Sequence, residues 1–65
     1  MRKEHDVVRL IRDVSVVPAG TVGTIMMILP EDPSVSLVEF PDPEGKEIRL
    51  ITVHENDLED TPGTT

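Results

Sequence analysis

Pro18, Gly20 and Gly23 stand directly ahead of the longest apolar run of the chain, 25–29, and Pro30 and Pro33 close it. Proline lacks a backbone donor and glycine weakens a helix interior, so a segment bounded in this way is a short strand rather than a helix of useful length. Periodicity alone leaves 6–13, with Val7, Val8, Leu10 and Ile11, open between a short helix and a strand. The continuation decides it, because Val14, Val16 and Val17 are β-branched and the breakers that follow would stop any helix begun at Asp6. Residues 21–29 read as a strand, 34–40 as the next, 41–45 as a tight turn and 46–53 as the returning strand of a hairpin. The turn "PDPEG" ends in Gly45, expected to supply the positive φ that closes it. Thr52 and Glu55 have capping-box spacing, which predicts one short helical turn near 53–57 and then a last short strand at 57–59. Short strands with turn signals between them predict an all-β chain, either a small closed barrel or a sandwich.

A chain of 65 residues supports one small core. The expected organisation is a single domain over 1–60 followed by a flexible polar tail over 61–65. The sequence contains no cysteine. A disulfide framework, a thiolate nucleophile and a thiolate metal site are therefore excluded, and packing or association must hold the core together. No apolar run approaches the roughly 20 residues of a membrane span, and the N-terminal stretch has no apolar signal region. The expectation is a soluble, cytoplasmic protein with no membrane partner. A formal net charge of −7 opposes a polyphosphate backbone, so nucleic acid is not an expected partner. Charge is also uneven: Arg2, Lys3, Arg9 and Arg12 outnumber Glu4 and Asp6 in the first twelve residues, whereas the remainder carries eleven acids against Lys46 and Arg49. A basic start and an acidic end can neutralise each other within one sheet.

Gly20-Thr-Val-Gly23 has the spacing of the loop that clamps nucleotides in KH domains, but that loop joins helices and works in a positive field. Neither a dinucleotide fingerprint nor a P-loop occurs. The glycines are read as architecture, with a turn at Gly20 and a bulge or close backbone approach at Gly23. "AGTVGTIMMIL", "VSLVEF", an acidic glycine turn, "IRLITV" and a closing "NDLED" together resemble the small bacterial DUF4926 family, whose pattern is a G-x-x-G-T-V turn-strand followed by V-E-F. The resemblance covers 6–59 and departs where Gly-Thr-Ile stands for Gly-Thr-Val, a conservative change. More loosely, the chain is similar to KOW and other SH3-like barrels that enter a strand through a Gly-x-x-Gly turn. The resemblance implies an SH3-like barrel of about five strands and carries no established activity.

Residues that could carry chemistry are few. Hydrolytic catalysis would draw on Ser15, Ser34 or Ser36 with His5 or His54, none of which lies in a nucleophile-elbow context. His54 with Glu55 and Asp57, joined by His5 if the first and last strands pair, is the one metal-ligand set to weigh, and two histidines make it a weak one. No cofactor is expected. Phe40, the only aromatic residue, belongs in the core beside Val38 with Glu39 pointing outward, which removes the aromatic groove of proline-peptide binders.

One feature rises above this background. Along 22–29 strict alternation sets Ile25, Met27 and Leu29 on one face and Val22, Met26 and Ile28 on the other, while Ile48 and Leu50 oppose Ile51 and Val53. A small barrel buries one face per strand. Either a local bend switches faces, or a second apolar surface is covered by a partner. The expected function is a non-enzymatic interaction module that self-associates or binds a protein through Met26, Ile28 and Ile51, with Glu55, Asp57, Glu59 and Asp60 as an acidic rim. The alternative is an acidic neutralising protein, such as an antitoxin or inhibitor of a basic enzyme, whose binding would be lost at high salt.

Overall fold

The computed structural model describes residues 3–42, 44–45 and 47–61. Five strands, β1 (Val7–Leu10), β2 (Val22–Ile28), β3 (Val35–Pro41), β4 (Ile48–His54) and β5 (Leu58–Asp60), form one antiparallel sheet in the order β4-β3-β2-β1-β5. A single 3-10 turn, Glu55–Asp57, precedes β5. This strand order, with a 3-10 turn before the last strand, is that of an SH3-like barrel. Of the expected polar tail only Thr61 falls among the described residues.

With no α-helix among the described residues to cover it, the sheet must curl around its own apolar face. The core shows that it does: Val8 and Leu10 of β1, Ile25 of β2, Val38 and Phe40 of β3, Val53 of β4 and Leu58 of β5 meet in one buried cluster. Val17 joins them from the β1–β2 connection, where Val14 and Val17 exchange two backbone hydrogen bonds of 2.9 Å across a two-residue turn. Ser15 takes a positive φ of 53° in that turn.

Gly23 makes the curl possible. It pairs with Val8, and a Cβ built on it would lie 2.6 Å from Phe40 Cδ1 and 2.7 Å from the Glu39 carbonyl oxygen. The expected close approach is therefore found here, while the bulge lies three residues on. Ile25 pairs with Val38 and Met27 with Leu37, leaving Met26 as the extra residue. An inserted residue shifts the alternation by one. Strict alternation over 22–29 is thereby corrected: Ile25 and Ile28 both face the core, and Met26 and Met27 are both exposed.

Two turns use glycine as expected, with φ of 91° at Gly20 and 72° at Gly45. The capping box expected at Thr52 is not formed. Val35 pairs with His54 and the Glu55 N–H donates to the Ser34 carbonyl at 2.7 Å, which holds Thr52 inside β4 opposite Leu37. The 3-10 turn is capped instead by His54, whose Nδ1 accepts from the Asn56 N–H at 3.1 Å.

Gly23→Ala should lower the free energy of unfolding by about 2–3 kcal/mol, because the methyl meets backbone on one side and a fully buried ring on the other. Urea denaturation checks this, and a loss below about 0.5 kcal/mol would mean that β3 yields to the methyl without cost.

Candidate functional site

The β3–β4 register separates the two faces of the hairpin. Val38 stands opposite Ile51 and Ser36 opposite Val53 on the core side; Leu37 stands opposite Thr52 and Glu39 opposite Leu50 on the outer side. Ile28 and Ile51, expected at a contact surface, are therefore packed against the core cluster. Met26 remains half exposed at the bulge.

One exposed apolar surface lies on the outer side of β2, β3 and β4, while Ile11 and Val16 are exposed outside the strands. Ile48 is 64% exposed, Leu50 57% and Met27 41%, all on the outer side of β2, β3 and β4. Sequence reasoning noted Ile48 and Leu50 as the second face of their strand without assigning them outward. The missing signal was parity: Arg49, Ile51 and Val53 alternate toward the core, and Arg49 is the one charge that makes this face look outward. Its guanidinium lies 3.5 Å from the Asp42 carboxylate at the end of the hairpin.

The acidic rim lies along β5 and the 3-10 turn and is largely engaged. Arg9 Nε donates to Glu59 Oε2 at 2.7 Å, directly across the β1–β5 pairing. Arg12 lies 3.0 Å from Asp57, whose carbonyl also accepts the Ile11 N–H at 2.9 Å. The basic start and acidic end of the chain neutralise each other here in space. Exposed pairs of this kind contribute at most about 1 kcal/mol each, so they set register more than stability. Glu55 is exposed, and Asp60 ends β5 opposite Val8.

Of the candidates for catalysis and metal binding, the β3–β4 pairing brings Ser34 and His54 near each other beside Asp32 and leaves the others apart. Ser15 sits in the Val14–Val17 turn, Ser36 is buried in the core, and Ser34 Oγ donates to Asp32 Oδ1 at 2.5 Å. His5 lies before β1 and His54 caps the 3-10 turn. Among the described residues no three His, Asp or Glu side chains converge to hold a metal ion, and no helix is long and apolar enough to cross a membrane.

One carboxyl in the β2–β3 connection has a shifted titration. Asp32 is held below its ordinary value by the hydrogen bonds from the Ser34 hydroxyl and N–H, with nearby His54 adding a smaller attraction. A depressed folded-state value means that the interaction stabilises the fold above the ordinary aspartate range and is lost as pH falls through the lowered value. Ser34→Ala should move the Asp32 titration upward toward that ordinary range, measured by carboxyl NMR; an unchanged midpoint would show that the hydroxyl is not the main cause.

No curated protein and no solved structure is significantly similar to this chain. The family model described as Domain of unknown function (DUF4926) matches residues 4–60, through all five strands and the 3-10 turn between β4 and β5. The chain belongs to the DUF4926 family.

Proposed function

We propose that this protein is a non-enzymatic interaction module that works in the cytoplasm and associates with a copy of itself or with a protein partner through the outer face of β2, β3 and β4. The carrying observation is the exposure of Met27, Ile48 and Leu50 on one side of the β2, β3 and β4 strands, whose other side fills the core. A chain this small has little apolar residue to spare, and leaving large side chains in water on one face is favourable only if something covers them. Met26, at the bulge, borders the same surface.

The neutralising reading has weaker support. Glu59 and Asp57 are paired with arginines of the same chain, so a basic enzyme would have to displace those arginines to reach them. The catalytic reading rests on one exposed contact, the Ser34 hydroxyl on the Asp32 carboxylate, outside any enclosed site, and nucleic acid would meet a chain of net charge −7.

The two interaction readings separate by salt. A tagged pull-down from native lysate at low and at high salt should recover a stoichiometric complex, homomeric or heteromeric, that survives high salt and is lost with Leu50→Lys. A basic partner released by high salt and indifferent to Leu50→Lys would overturn the apolar-face reading in favour of a neutralising protein.

A further inference from the structure

Strand β4 is at the end of the sheet, and its register fixes which of its backbone groups lie open. The Asp42 N–H donates to the Glu47 carbonyl at 3.0 Å and the Glu55 N–H to the Ser34 carbonyl at 2.7 Å, at the two ends of an unbroken seven-pair ladder. In an antiparallel pair hydrogen-bonded positions recur every second residue. Arg49, Ile51 and Val53 therefore hold β3, and the N–H and C=O groups of Ile48, Leu50, Thr52 and His54 point away from it. These are the residues whose side chains form the outer face.

The two sheet edges are built differently. The β5 edge is three residues long and carries Glu59 and Asp60. The β4 edge is seven residues long, with no proline, no bulge and no carboxylate within it. Short strands, charges, prolines and bulges are the usual means of keeping an edge from pairing. Only Arg49 is charged on β4 at neutral histidine, and Asp42 neutralises it.

Deepening the interaction reading above, on which it rests, we propose that β4 pairs antiparallel with β4 of a second copy of this chain, joining two five-stranded sheets into one across a two-fold axis at Leu50. A second copy is the occupant because β4 is complementary to itself in one register, and charge selects that register. Two molecules of net charge −7 repel, and β4 is the long strand edge free of carboxylates, so the copies meet where that repulsion is weakest. An axis at Ile51 would set Glu47 against Glu55 of the second copy, and one at Arg49 would oppose two guanidiniums. An axis at Thr52 would carry Ile48 past the end of the opposing strand. At Leu50 the two leucines face each other, flanked on each side by Ile48 against Thr52, so the two exposed apolar side chains of the strand gain cross-strand partners while the open backbone groups find partners.

Because net repulsion opposes this association, added salt should tighten it, by roughly threefold or more in dissociation constant between low and high ionic strength. Sedimentation velocity over a concentration series measures this, together with hydrogen exchange of the Leu50 and Thr52 amides at concentrations either side of dissociation. The expected result is a dimer, tighter at high salt, in which those amides are protected only when dimeric. Thr52→Pro removes an outward N–H while sparing the β3 ladder and should leave a folded monomer. A wild-type dimer whose Leu50 and Thr52 amides exchange as fast as in the monomer overturns edge pairing but leaves the apolar-face reading intact. So does a monomer at every salt and concentration, provided that Leu50→Lys still abolishes capture of a different protein; if it does not, both readings fall.

Discussion

The contact between the Phe40 ring and Gly23 is the constraint on which this small barrel depends. A single sheet with no helix has to bend sharply somewhere to enclose a core, and the bend needs a residue without a side chain where the neighbouring strand closes in. Gly23 provides the space and the one aromatic ring of the chain fills it, with the Glu39 carbonyl against the same point. Glycine in a strand interior weakens the strand by itself, and a large ring laid over it restores both packing and register. The bulge at Met26 follows within three residues, so β2 bends at its start toward β1 and shifts phase before it leaves along β3.

That arrangement explains which parts of the fold were legible in the sequence. Strand positions followed from where Pro18, Pro30 and Pro33 interrupt β-branched runs, and the turns at Gly20 and Gly45 followed from backbone freedom that glycine alone offers without cost. These are local effects. The side on which each apolar residue falls is not local: it depends on a single inserted residue, and nothing in "GTIMMIL" distinguishes a bulged strand from a regular one. Ile28 and Ile51 were thus assigned to the surface although the bulge and the pairing of Ile51 with Val38 draw them inward. The 3-10 turn was legible but its cap was not, because Thr52 is held by its ladder partner across the hairpin rather than by its neighbours in sequence.

Charge shows the same division. The opposite signs of the two ends could be read from composition, and their meeting across β1 and β5 is what antiparallel pairing of the first and last strands produces. Asp57 and Glu59 were read as a rim presented to a partner; the structure has them serving Arg12 and Arg9, which shifts attention to the outer face of β2, β3 and β4. There the exposed groups are Ile48, Leu50 and Met27 and the edge backbone of β4.

The closure of β1 on β5 has a mechanical consequence. Val8 lies opposite Asp60, and the Thr61 hydroxyl donates to the Val7 carbonyl, so the two ends of the folded unit leave from the same end of the same strand pair. Tension applied through flanking chain would pull these strands apart in line with their hydrogen bonds, which lie perpendicular to the strands, and load them one after another. The barrel would open like a zipper, from Val8 and Asp60 toward Leu10 and Leu58. It is therefore mechanically soft along the direction in which its own chain runs out, however firmly Phe40 and Gly23 hold its interior.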